Sequence, residues 1–226
     1  PGSCKDGKRH KIHPTKLTLE GNMDNYPNSA RPNYPRVTQI LDATMSEEKR
    51  KKLLKWEQTL NSKLGNGSAK DYRENAADMG TIFHKAIEDY FIQGIEPIFI
   101  EDKQNLRWAR ALPRLRILRN QYFCLEAEVF SDKHQYIGHS DCFAWEQERL
   151  ICIDWKTSAK FKRREWIDDH FIQGAAYAIA GYECGVIPEL PHEIQVYIFQ
   201  PTRCQLFIEP FNAELAGKWL ARLKQY

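Results

Sequence analysis

Three residues carry the first chemical suggestion: Asp141, which closes Gly138-His139-Ser140-Asp141, and, after twelve intervening residues, the pair Asp154 and Lys156 in Asp154-Trp155-Lys156. Residues two apart on a β-strand point to the same side, so Asp154 and Lys156 share a face, and a hairpin between the segments brings Asp141 alongside them. The approach to Asp154 is Leu150-Ile151-Cys152-Ile153, apolar on both faces, which predicts a central, buried strand. Charges at the end of such a strand are costly to desolvate. Two carboxylates held close together also disfavour each other's ionised form. A divalent cation resolves both difficulties. Mg²⁺ takes about six oxygen ligands near ~2.1 Å and retains several waters, which suits Asp141, Asp154, the backbone carbonyl of Trp155 and phosphate oxygens. Such a centre hydrolyses phosphodiesters: the cation acidifies a bound water and offsets charge on the phosphorus oxygens, while the Lys156 ammonium orients that water. Arginine would serve less well there, with a pKa above ~12 and a wide planar head.

An Asp–Lys pair on a hairpin is by itself usually a surface ion pair, so its surroundings decide. His84 lies one helical turn after Gly80, which leaves room for a phosphate or another chain beside the imidazole. It is a further candidate for metal binding and catalysis, although a lone helical histidine is more often structural. An imidazole ligand tilts the centre toward Mn²⁺, and the oxygens suit Mg²⁺ equally well. Gln173 and Tyr177, four apart on a helix, are candidate supporting groups. Glu126 and Glu128 share a strand face, and Glu126 is the preferred support for the metal or a water. Lys160, Lys162, Arg163 and Arg164 follow Lys156 directly. They read either as a phosphate-binding cluster with salt-sensitive affinity or as a solvated loop. Arg107, Arg110 and Arg114 fall on one helix face and carry the same two readings.

The elements that must position these groups can be read from periodicity. Ser46 followed by Glu47 and Glu48 caps a helix with the stripe Leu53, Leu54, Trp56 and Leu60, ended by Gly65-Asn66-Gly67. A second helix spans about 76–93, with Met79, Phe83, Ile87 and Phe91 in register and Gly94 as its stop. A third covers 104–121, with Pro113 bending its axis. Strands are expected over 125–130, 136–145 and 150–157, the last two joined by a turn at 146–149. A helix over 165–181, strands over 194–200 and 204–209, and an Asn212-capped helix carrying Leu215, Trp219 and Leu223 complete the pattern. This order predicts an α/β fold, a mixed central β-sheet flanked by helices, with N-terminal helical elements.

The chain has 226 residues, 42% of them hydrophobic, enough for one sizeable core. One domain is expected over 36–226. Residues 1–35 hold five of the eleven prolines and no periodicity, which predicts an extended or disordered basic arm, with Pro1-Gly2-Ser3 set aside as a cloning remnant. A net charge of +3 does not by itself announce a nucleic-acid partner. The six cysteines form no CxxC pair, which argues against a zinc finger, an iron–sulfur cluster or a disulfide framework. No stretch reads as a membrane span.

His84 within Gly-Thr-Ile-Phe-His, Gly138 to Asp141, Ile153-Asp154-Trp155-Lys156-Thr157 and Gln173 to Tyr177 together resemble the ordered motifs of RecB-type PD-(D/E)XK nucleases, whose core is restriction-endonuclease-like. The runs Pro35 to Leu41, Tyr136-Ile137-Gly138, Ile153 to Ser158 and Trp219 to Leu223 are similar to the mitochondrial genome maintenance exonuclease family, and the likeness covers roughly residues 35 to 226. The resemblance implies a DNA exonuclease favouring single-stranded ends and flaps. It also implies a need for Mg²⁺ or Mn²⁺, with Asp141, Asp154 and Lys156 catalytic and His84 beside them. Thr38, in the first of these runs, joins Lys160, Lys162, Arg163, Arg107 and Arg110 as a candidate DNA contact. Ser140 stands where the class name has proline, and the iron–sulfur cysteines of some relatives are missing. Three alternatives stay open: a structure-specific endonuclease on the same core, a non-cleaving DNA-binding subunit, and an enzyme acting on RNA. The expected setting is a monomer in a bacterial or phage-infected cytoplasm, or in the mitochondrial matrix if a transit peptide was removed.

Overall fold

The computed structural model describes residues 33–226. All but the last three positions of the expected N-terminal arm therefore lie outside the described residues. The elements run α1 (Val37–Ala43), α2 (Glu47–Leu64), α3 (Ser68–Gln93), α4 (Asp102–Leu118), β1 (Tyr122–Ser131), β2 (Tyr136–Glu146), β3 (Arg149–Thr157), a 3-10 turn (Arg164–Trp166), α5 (Asp168–Glu183), β4 (Glu193–Phe199), β5 (Cys204–Pro210) and α6 (Ala213–Gln225). The five strands form one sheet in the order β1-β2-β3-β4-β5. Its pairings are antiparallel except β3–β4, which is parallel. The mixed α/β sheet read from the sequence is thus the observed one. A parallel pair needs a crossover, and α5 provides it.

Local chemistry explains the boundaries. Ser46 caps α2 by accepting the Lys49 N–H at 3.3 Å, and Asn212 caps α6 by accepting the Leu215 N–H at 2.9 Å. The tight turn between β2 and β3 places Gln147 and Glu148 at φ 51° and 64°, the mirror-type geometry that matches strand twist. Two expectations change. Helix α3 begins at Ser68, well before the anticipated start near 76, because Gly65 and Gly67 break the chain only briefly. Helix α2 has no buried residue, with Leu54 at 50% and Trp56 at 36% exposure, so its supposed core stripe packs mainly on α3 and not on the sheet. Among the described residues no helix is long and apolar enough to cross a membrane.

The sheet separates two cores of different texture. On one side α3 and α4 pack large rings, among them Phe83, Phe91, Trp108, Trp155, Tyr197 and Phe199. On the other, α1, α5 and α6 meet the sheet, and α5 presents Gly174, Ala175, Ala176, Ala178, Ala180 and Gly181, all buried. These small residues let α5 lie close to the strands: a Cβ at Gly174 would stand 2.3 Å from Ile194 Cγ2.

Candidate active site

The ladder between β2 and β3 ends at Cys142↔Ile153. Past that rung the strands part, and the far end of β2 is flanked instead by the chain entering α1, with Ile137 N–H donating to Pro35 O at 3.1 Å. Asp141 and Asp154 stand on the two sides of this fork. One bond crosses it: Asp141 Oδ2 accepts the Trp155 N–H at 2.6 Å. Lys156 Nζ donates to Asp154 Oδ1 at 2.6 Å and to Trp155 O at 3.2 Å.

His84 reaches the fork from α3, with Nε2 2.9 Å from Trp155 O. A carbonyl only accepts, so the ring carries its proton on Nε2 and offers Nδ1 as a lone pair. That Nδ1 lies 3.6 Å from Asp141 Oδ1 and 4.0 Å from Glu126 Oε1. Glu126 falls between the pairs Leu125↔Cys142 and Ala127↔Ser140, directly across from Asp141, and has φ 46°. Left-handed backbone in a residue with a Cβ costs roughly 1–2 kcal/mol, and such strain concentrates at functional sites. Ligand atoms of His84, Glu126 and Asp141 lie within 4.8 Å of one another.

Burial governs the ionisation of the cluster. It raises Asp141 and Asp154 above the usual carboxylate range against the pull of Lys156, and the charge of Asp141 lifts Asp154 further. Glu126 is pushed up to about 7, first by burial and then by Asp141. Burial alone would lower Lys156, but Asp154 and Asp141 outweigh it, so the amine stays a cation. Burial holds His84 down at about 4, a neutral imidazole at pH 7. Finally, Asp154 Oδ2 is buried with no hydrogen-bond partner among the described residues. Hard carboxylate oxygens, an orphaned buried oxygen and an imidazole lone pair are the donor set a divalent cation takes.

The structure brings Asp141, Asp154, Lys156, His84 and Trp155 together, and draws Glu126 closer to the ligand cluster than a merely supporting group. The Trp155 carbonyl, anticipated as a ligand, is already engaged by His84 and Lys156 and fixes the imidazole tautomer. Gln173 Nε2 donates to the Tyr177 hydroxyl at 2.7 Å, and the buried Tyr177 ring lies against Gly138. Thr38, Arg110, Lys160 and Arg163 are exposed, and Lys162 is half-buried. Arg107 needs correction. It is 8% exposed, donates to Phe199 O at 3.1 Å and to Gln104, and lies 5.8 Å from the Phe83 ring centre, so it is a packing residue and not a surface phosphate contact. Arg114 likewise turns inward, to the Tyr197 hydroxyl at 2.6 Å and Glu146 at 2.9 Å. The face holding these arginines packs on the β4 side of the sheet. Sequence reasoning missed His170, whose Nδ1 is 3.9 Å from Asp154 Oδ2 and which burial holds at about 4. The available signal was its spacing: His170, Gln173 and Tyr177 share one face of α5.

Two aspartates and a lysine where β2 and β3 part, on a mixed, helix-flanked sheet, are the arrangement that a PD-(D/E)XK resemblance implies, and the chain resembles nucleases of that superfamily. The particular likeness is to mitochondrial genome maintenance exonuclease 1. The Homo sapiens protein is 29% identical over 233 residues, covering 94% of this chain and 61% of its own length. The Mus musculus protein is 27% identical (87% and 60%), and that of Xenopus tropicalis 28% identical (85% and 57%). The chain thus spans about three-fifths of the length of the curated relatives it matches. No protein-family model matches it. Among solved structures, the phage-related exonuclease of Haemophilus somnus superimposes with a TM-score of 0.42 at 11% identity, covering 85% of this chain and 91% of that one, too loosely to carry an argument.

Proposed function

We propose that the protein is a metal-dependent exonuclease that hydrolyses phosphodiester bonds at the ends of single-stranded DNA. The observation that carries this reading is the fork itself, where Lys156 is anchored 2.6 Å from Asp154 while His84, Glu126 and Asp141 converge beside it. Asp141, Glu126 and His84 Nδ1 would hold Mg²⁺ or Mn²⁺, with Asp154 Oδ2 the remaining unsatisfied oxygen. When bound, the cation supplies an acidified water and charge compensation for the phosphoryl oxygens. Lys156, a cation held by Asp154 and the Trp155 carbonyl, hydrogen-bonds the attacking water and stabilises negative charge as it builds on phosphorus. The water oxygen bonds to phosphorus, the P–O ester bond opposite breaks, and the water's protons pass to solvent and to the departing alkoxide. Asp154 positions the ammonium, and His170 borders the outer face of Asp154.

The names of the relatives support exonuclease action and a mitochondrial setting over a cytoplasmic one. Action from an end follows if the strand threads past a helical gate formed by the N-terminal helices. The test is degradation of end-labelled linear and circular single-stranded DNA by wild type and Lys156→Ala, with Mg²⁺, with Mn²⁺ and with chelator. Loss of linear DNA only, dependent on metal and abolished by the substitution, is expected. Ready cutting of circles overturns the exonuclease reading, and metal-independent cutting overturns the site.

A further inference from the structure

The segment between β3 and α5 leaves the site at Lys156 and returns to it at His170. Its backbone is pinned. Ser158 N–H donates to Phe199 O at 3.0 Å, and the Lys160 carbonyl accepts from Gln200 Nε2 at 2.7 Å. Gln205 grips Lys162 on both sides, accepting its N–H and donating to its carbonyl, each at 3.0 Å. Gln200, itself 1% exposed, bonds Gln205 at 2.7 Å. A loop fixed this firmly has no packing reason to hold large rings in water, yet Phe161 is 51% and Trp166 55% exposed. Each ring lies under a guanidinium, Arg203 5.6 Å from the centre of Phe161 and Arg163 5.5 Å from that of Trp166. Lys160 adds an exposed ammonium, and among the described residues no carboxylate pairs with Lys160, Lys162 or Arg203. Arg164, by contrast, is consumed internally by Asp168 and Glu209.

We infer that this loop is a stacking platform for single-stranded DNA, with Phe161 and Trp166 each taking the face of an unpaired base and Lys160, Lys162, Arg163 and Arg203 taking the phosphates between. The inference rests on the proposed nuclease function and deepens it. Exposed rings alone would suit an apolar partner, but the cations beside them, of which only Arg163 has a carboxylate near it (Glu165, an exposed pair at 3.8 Å), select a polyanion. Duplex DNA hides its base faces, so a polyanion that can use the rings is single-stranded. Aromatic stacking is tolerant of base identity, so the platform would hold a strand beside the fork whatever its sequence.

The test is fluorescence anisotropy with labelled single-stranded DNA and an abasic oligomer of equal length, in chelator so that nothing is cut. Stacking on one ring changes Kd by at least about fivefold. Phe161→Ala/Trp166→Ala should therefore weaken binding of normal DNA by more than tenfold, and Phe161→Tyr/Trp166→Phe should restore it. Wild type should bind the abasic strand as weakly as the double alanine variant binds either one. The salt dependence should stay unchanged in the aromatic variants and flatten in Lys160→Ala/Arg203→Ala, because only cations release counterions. Equal affinity of wild type and the alanine variant for normal DNA overturns the platform. So do equal losses by both proteins on the abasic strand, and tighter binding of RNA than DNA overturns the choice of ligand. Cleavage is measured apart, with metal present: base-dependent binding without cutting retains the platform and removes the catalytic reading, whereas cutting with unaltered variant affinity does the reverse.

Discussion

Glu126→Gln removes one negative charge from the fork and keeps the shape and the left-handed backbone of the residue. In the absence of metal this charge is unwelcome, since burial and Asp141 push the carboxyl to about 7 from its ordinary 4.5. At 1.36 kcal/mol per pH unit this corresponds to about 3 kcal/mol of differential interaction. The side chain keeps 30% exposure, and solvent screening leaves roughly 1–2 kcal/mol. The sign follows from proton counts. Between pH 4.5 and 7 the unfolded chain has released the Glu126 proton and the folded chain has not, so stability falls as pH rises through this window. In urea denaturation with chelator, Glu126→Gln should match wild type near pH 4 and exceed it by about 1–2 kcal/mol at pH 8. Adding Mn²⁺ at pH 8 should reverse the order, because wild type regains by binding what it loses by repulsion. A difference between the two proteins that does not change with pH would refute the electrostatic reasoning. A variant that gains as much from Mn²⁺ as wild type would remove Glu126 from the ligand set.

Two further substitutions probe the surrounding shell. In Gly138→Ala the new methyl would stand 2.4 Å from Tyr177 Cε1 and 3.2 Å from Val37 Cγ2, so chemical denaturation should show a loss of about 1–3 kcal/mol; a loss below about 0.5 kcal/mol would mean that the ring moves freely. His170 is held at about 4, below its ordinary 6.5, so between those values the unfolded chain binds the extra proton and stability drops as pH falls. His170→Gln should flatten that acid-side slope in chelator, and an unaltered slope between pH 6.5 and 4 would show that the histidine titrates freely.

How much of this was legible beforehand depended on whether a signal was local. The hairpin, the apolar run into Asp154 and the capped helices are all written in short spans, and β2, β3, α5 and α6 fall close to where the sequence put them. Helix α1 was missed because its seven residues are too few to show a period, and it is held by packing on α5 and β2. Arg107 misled because periodicity says which residues share a face and not whether that face meets water. The full ligand cluster was out of reach for a related reason. His84 meets the Trp155 carbonyl across 71 positions, and the distortion that sets Glu126 opposite Asp141 has no signature in residue type, since glutamate rarely adopts a left-handed conformation.

The closely laid α5 has a consequence for how the protein can vary. Along that helix Gly174 and Gly181 face Ile194 and Phe143 at distances that leave no room for a methyl or only just admit one, while the rings on the opposite side of the sheet can exchange for others of similar bulk. Substitution tolerance should therefore be lopsided: in a randomised library selected for folding, positions 174 and 181 of α5 would return almost only glycine and alanine, and the α3–α4 face a mixture of large apolar residues. The side of the molecule that carries His170, Gln173 and Tyr177 is the side with the least freedom to drift.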